Sequence, residues 1–271
     1  MTRDHLPPDA SPELRAIAAA ALAGGALARR MLQSGRGAAL ASKGRADYQT
    51  EADRAVEAEI AAALRAAFPG CGIAGEEQVA DAAPAPGQPV FVIDPIDGTT
   101  NFAWGIPHFA VVIAELRDGA LCRGVTLDAM LGELFAAEAG QGAWLDGQRL
   151  ALVAGGALPD VVIGAGLPIR GQVRSVSEAR YHAALARAMD ETAGVRRLGS
   201  SALSIAYVAA GRLDGFFEDM LSLHDYGASA LILREAGGTV TGLDGGPLQD
   251  PGGVLAAAPG LHGWLLDGLA G

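Results

Sequence analysis

One stretch constrains the chain more than any other: Val90-Phe91-Val92-Ile93-Asp94-Pro95-Ile96-Asp97-Gly98-Thr99-Thr100-Asn101-Phe102. Its short apolar start predicts a buried strand over residues 90–93. The strand is expected to end at two carboxylates, Asp94 and Asp97. Pro95 removes a backbone donor between them and stiffens the turn. Gly98 frees the backbone after the second acid, and Thr99, Thr100 and Asn101 supply polar groups where a helix can start. Two carboxylates at the end of a rigid strand suit a hard divalent cation, which prefers oxygen ligands. The Ile96 carbonyl offers a third oxygen, and the amides of Gly98 and Thr99 at a helix N-terminus would face an anion. Asp, Pro and Gly are also ordinary turn residues, so two turns that cap a helix are the competing reading.

The 271 residues allow one large domain or two packed subdomains. A net charge of −11 disfavours nucleic-acid or anionic-membrane binding through bulk charge. A phosphate substrate would then need metal to offset repulsion. No run approaches the ~18 apolar residues of a membrane span, and the N-terminus does not read as a secretory signal. Cys71 and Cys122 show no metal-ligand spacing and read as reduced thiols of a cytoplasmic protein.

Along the chain, residues 1–11 are expected to be a loose tail. A packing helix follows over 12–34, with Pro12 in its first turn after Ser11, then a glycine-rich loop over 35–44. Thr50 is expected to cap a helix over 51–68 that places Asp53 in its first turn, where an acid compensates the helix dipole. A strand over 71–74 leads into Gly75-Glu76-Glu77. Two hairpins are expected, over 109–127 around Asp118-Gly119 and over 133–150 with a turn at Asp146-Gly147. Trp104 reads as a packing residue. Residues 151–159 form a linker by composition, dividing the chain into subdomains 1–153 and 154–271.

In the second half, strands are expected over 161–165, 195–198 and 213–218, and helices over 181–192 and from about 201 to 210. The polar segment 166–177 would rim a pocket. Gly199-Ser200-Ser201-Ala202 makes a strand-to-helix turn suited either to ligand approach or to a simple helix cap. A core helix runs from Leu223 past Asp225 to about Glu235. Two further strands, over 239–243 and 254–258, and a helix over 261–269 complete the chain.

The string Asp94-Pro95-Ile96-Asp97-Gly98-Thr99-Thr100-Asn101-Phe102 resembles the signature of the inositol monophosphatase family, the Mg-dependent, lithium-sensitive phosphatases. Lys43 to Asp53 is similar to that family's Lys…Asp-x-x-Thr-x-x-Asp segment, and Gly75-Glu76-Glu77 to its Gly-Glu-Glu element. The run from Asp225 to Gly238 resembles its second signature. These four blocks span most of the chain in order. The resemblance implies an α+β fold, a layered α/β/α/β/α sandwich of two subdomains with largely antiparallel sheets. It implies Glu76, Asp94, Ile96, Asp97 and Asp225 as metal ligands, and Asp53, Glu76, Glu77 and Thr99 as catalytic residues. Glu76 would bridge metals and Glu77 would support the attacking water. Asp97, Gly98, Thr99, Gly199, Ser200, Ser201 and Glu218 would bind substrate, with Glu218 on a substrate hydroxyl, and Lys43 would sit on a loop over the site. His224 stands where the family most often has Trp, which puts substrate identity in question.

Five acids from separate places, Asp53, Glu76, Asp94, Asp97 and Asp225, would repel and raise one another's pKa unless cations sat among them. With what the resemblance implies, the expectation is a hydrolase of phosphate monoesters with two or three Mg²⁺. Inositol monophosphate is the first substrate and histidinol phosphate the second; a 3′-phosphoadenosine compound or fructose 1,6-bisphosphate remains open. The resemblance also implies a homodimer. A non-catalytic regulatory binding protein on the same fold is the alternative of a different class.

Overall fold

The structure, a computed structural model, describes residues 4–34, 41–44, 47–49, 51–81, 84–168 and 171–270. Helix α1 (Pro12–Gln33) begins where Ser11 caps it, its hydroxyl accepting the Leu14 amide at 3.1 Å. Strands β1 (Ala41–Gly44) and β2 (Asp47–Gln49) pair antiparallel, so the expected loop ends in a hairpin. Lys43 lies on β1, but its side chain, like the expected cap at Thr50, lies outside the described residues. Helix α2 (Glu51–Ala67) buries Val56, Ile60 and Leu64.

Strands β3 (Gly72–Gly75), β4 (Val90–Asp97), β5 (Ala110–Arg117), β6 (Ala120–Asp128), β7 (Glu133–Glu138), β8 (Gly142–Leu145) and β9 (Gln148–Leu150) form one sheet in sequence order. Only the β3–β4 pair in it is parallel. Asp118-Gly119 and Asp146-Gly147 all have positive φ, as tight two-residue hairpins require. The short helix α3 (Thr99–Ala103) follows β4.

Past a 3-10 turn at Leu158–Asp160, the second sheet uses β10 (Val162–Ala165), β11 (Gly194–Arg196), β12 (Gly215–Leu221), β13 (Thr239–Thr241) and β14 (Gly252–Ala257), in the order β11-β10-β12-β14-β13. Helices α4 (Glu178–Glu191) and α5 (Ser201–Ala209) lie in the connections that make β10 parallel to both its neighbours. Helices α6 (Leu223–Glu235) and α7 (His262–Ala270) complete the chain.

Side-chain alternation along the strands builds the layers. Phe91 and Ile93 of β4 pack with Leu14, Ile17 and Ile60 of α1 and α2. Val92, between them, joins Leu203 of α5 and Ile232 of α6. In β12, Phe216 belongs to that same central cluster, whereas Phe217 packs with Tyr181 of α4 and Leu265 of α7. The result is an α/β/α/β/α sandwich with α5 and α6 between the sheets. Burial on all sides explains why α6 is apolar nearly all round, with Leu231, Ile232 and Leu233 all buried.

Three expectations change. Residues 4–11 are not loose: Leu6 is buried, His5 Nδ1 lies 2.6 Å from Asp146 Oδ1, and Arg15 donates to the Pro7 and Pro8 carbonyls at 2.8 and 2.9 Å. Strand β4 does not stop at Asp94; it continues to Asp97 through a register shift against β5, which tolerates the donor missing at Pro95. Trp104 is 57% exposed rather than packed, because α3 ends there and the chain turns away at Gly105.

Candidate active site

The irregularity in β4 sets the geometry. Val92 faces the central helical layer, so Asp94, two residues on, faces the same layer near the starts of α5 and α6. Both Asp94 and Asp97 are buried. Asp225 lies in the first turn of α6, where its Oδ2 accepts the Ser222 amide at 2.6 Å and the Ser222 hydroxyl at 2.9 Å. It is thus a helix cap, but it is also more. One carboxylate oxygen from each of Asp94, Asp97 and Asp225 can be chosen so that all lie within 4.8 Å of one another.

Asp97 ties the end of β4 to the start of α5. It accepts the Ala202 amide at 2.9 Å, the Ser201 amide at 3.3 Å and a short hydrogen bond from the Ser200 hydroxyl. A carboxylate belongs at the N-terminus of α5, where the helix dipole is positive. Ser200 is also the N-cap of α5, its hydroxyl accepting the Leu203 amide at 3.2 Å. Ser201 donates its hydroxyl to Glu218 Oε2 at 2.7 Å. Gly98 has φ +102°, and a Cβ there would stand 2.9 Å from the Gly199 carbonyl oxygen. The Gly98 and Gly199 turns therefore abut, and only glycine permits the first.

Thr99 turns its hydroxyl toward the Ile96 carbonyl at 3.1 Å and toward Asp53 Oδ1 at 3.3 Å. Asp53 is buried in the first turn of α2. The Glu76 amide donates to the Ile93 carbonyl at 3.1 Å, which sets the Glu76 carboxylate near enough to Asp94 to raise its pKa. Glu77 donates its amide to Glu57 Oε2 at 2.8 Å. His224 Nδ1 lies 3.3 Å from the Ser222 hydroxyl, while its Nε2 is buried with no partner among the described residues.

Asn101 is a residue that sequence reasoning placed only at a helix start. It is buried, and its Nδ2 donates to the His108 carbonyl at 2.8 Å and to the Leu198 carbonyl at 2.9 Å. It pins the turn before Ser200 to the turn after Asp97. Its position inside the acidic signature was the available signal; the partner, 97 residues away, was not.

The electrostatics fit a cation. Burial, then the charges of Glu76, Asp97 and Asp225, pushes the Asp94 carboxyl well above its usual range. Burial and Asp225 push Asp97 up to about 7, against the opposing hydrogen bonds of Ser200, Ala202 and Ser201. Asp225 is raised by burial, partly offset by Ser222. Burial pushes Glu218 up to about 7, with Ser201 opposing. These are oxygen donors held close together and disfavoured as bare anions, the donor set a hard divalent cation takes. The open cavity of about 480 Å³ beside Leu152, Ala209 and Asp214 includes none of these acids.

Known proteins resemble the chain over most of its length. A family model described as the inositol monophosphatase family matches residues 9–269. The chain is 45% identical over 215 residues to a Mesorhizobium japonicum protein named inositol-1-monophosphatase, covering 79% of each. It is 44% identical over 201 residues to a Pseudomonas aeruginosa protein named Nus factor SuhB, covering 73% of each. The crystal structure of the extragenic suppressor protein SuhB from Bartonella henselae superposes with a TM-score of 0.89 at 37% identity, covering 96% of this chain and 98% of that one.

Proposed function

The chain belongs to the inositol monophosphatase family, and from that premise we propose that it hydrolyses a small phosphate monoester, inositol monophosphate first, with Mg²⁺ as cofactor. At the coarser level it is a phosphoric monoester hydrolase. The observation that carries the finer reading is the convergence of Asp94, Asp97 and Asp225, two from the strand β4 and one from α6.

In this reading Glu76, Asp94, Asp97, Asp225 and the Ile96 carbonyl would hold two or three Mg²⁺. Bound Mg²⁺ supplies a Lewis acid for the phosphoryl oxygens and a lowered pKa for water. Thr99, placed between the Ile96 carbonyl and Asp53, orients the attacking water with Asp53, and Glu77 supports it. Water attacks phosphorus as the ester P–O bond breaks, giving the alcohol and inorganic phosphate. The amides of Gly98 and Thr99 face the phosphoryl oxygens. Glu218, fixed by Ser201, accepts from a substrate hydroxyl, with Gly199, Ser200 and Ser201 on the rim and Lys43 over the site. In the same reading Asp97, bonded to Ser200, Ser201 and Ala202, would serve both metal and substrate rim, at a junction of subdomains 1–153 and 154–271.

We also read the protein as a cytoplasmic homodimer that uses neither nucleic acid nor membrane for this activity. Cys71 and Cys122 are both free thiols, and no helix among the described residues is long and apolar enough to cross a membrane. A purely regulatory binding role is the competing reading, since some relatives carry the name Nus factor. The closely set buried acids favour hydrolysis, because they offer the oxygen donors that metal-assisted attack of water requires. The test is phosphate release from inositol 1-phosphate, histidinol phosphate, 3′-phosphoadenosine 5′-phosphate and fructose 1,6-bisphosphate, with Mg²⁺ and with chelator. Chelator-sensitive release with the highest kcat/KM for inositol 1-phosphate is expected. No release from any of the four overturns the reading, and a higher value for another replaces the substrate.

A further inference from the structure

Helix α2 carries a second acid one turn after Asp53. Glu57 is fully buried, and residues four apart share a helix face. A carboxylate in that position is disfavoured unless donors surround it, and here the donors come from one turn. Glu57 Oε2 accepts the Glu77 amide at 2.8 Å, and Oε1 accepts the Gln78 amide at 2.8 Å and the Val79 amide at 2.7 Å. The turn closes on itself through the Gly75 amide and the Val79 carbonyl at 2.6 Å. Gly75 lies so near that a Cβ there would stand 2.4 Å from Glu57 Oε2. Within this wrapped turn sits Glu76, whose amide donates to the Ile93 carbonyl and whose charge acts on Asp94.

We infer that Glu57 is a positioning residue: it holds three successive amides of the 76–79 turn and so fixes where the Glu76 carboxylate meets Asp94. The inference rests on the metal-dependent reading of the site. Three donors converging on one anion leave the turn a single orientation, and α2 then sets Asp53 and Glu76 from one rigid element. Glutamine at position 57 keeps the size but turns an amide group against one of the three N–H donors. Loss of a group that orients a ligand typically weakens metal binding by about 10–100-fold.

The test is Mn²⁺ binding to the full chain, followed by the electron paramagnetic resonance signal of the free ion, for wild type and Glu57→Gln. A rise of about tenfold or more in the Mn²⁺ dissociation constant is expected, with kcat recovered at saturating metal and KM for inositol 1-phosphate little changed. A purely structural role would lower the metal-free Tm and leave the Mn²⁺ constant of the folded protein unchanged, and that result overturns the inference. Wild-type protein that binds no Mn²⁺ instead overturns the metal reading, and the role of Glu57 with it. If Glu57→Gln does not fold, Gly75→Ala decides, because it pushes the turn off an intact Glu57. The same loss of Mn²⁺ affinity is expected there, and unchanged affinity overturns the inference.

Discussion

Asp94 shows how one side chain can satisfy a structural and a chemical reading together. Its Oδ1 accepts the Ile96 amide at 2.9 Å, the ordinary bond of an Asp turn, yet its surroundings are other carboxylates. In the proposed reading Asp94→Asn would take away a charged metal ligand, so kcat should fall on the order of 10²–10³-fold, the scale of removing one preorganised electrostatic group. The fold should survive, because the amide oxygen can still accept from Ile96; circular dichroism beside the kinetics checks both halves. Gly98→Ala puts a methyl against the Gly199 carbonyl at an unfavourable φ. A loss of about 1–3 kcal/mol in urea denaturation is expected. At this scale the acids were legible because carboxylates, Pro and Gly in a fixed string have few uses. Asn101 and Glu57 were not, since their partners are backbone groups that become neighbours only through folding.

Elements were legible where local chemistry decided them. The Asp-Gly turns and the Ser11-Pro12 helix start stood where the sequence placed them. The extension of β4 to Asp97 was hidden, because a proline signals an end and only pairing with β5 carries the strand past it. The tail was hidden for a similar reason: one leucine and one histidine find the core and Asp146 at long range. The central helices hold the two sheets and the two ends of the site together. Ile232→Ala in α6, at a fully buried position, should destabilise the protein by about 2–5 kcal/mol. Its KM should change little once the protein is folded, a split measured by denaturation beside steady-state kinetics.

For the whole molecule, the layered architecture followed from the resemblance, but the mixed character of the second sheet did not, because parallel pairing depends on which strands the crossover helices bring together. The site also makes stability depend on pH. Burial pushes Asp97 and Glu218 up to about 7 in the folded chain, above unfolded values of about 4. The native state therefore holds extra protons between about pH 4 and 7, and metal-free stability falls as pH rises through that window. The metal-free Tm should be lower at pH 7.5 than at pH 5.5. Mg²⁺ should raise Tm more at the higher pH, because binding releases those protons; differential scanning fluorimetry at both pH values tests this.

The most direct measurement is anomalous diffraction from crystals of the full chain soaked in Mn²⁺. A peak within coordination distance of the carboxylates of Asp94, Asp97 and Asp225 is the expected result. Crystals in which Mn²⁺ binds only elsewhere, with those three side chains ordered and no peak between them, would contradict it.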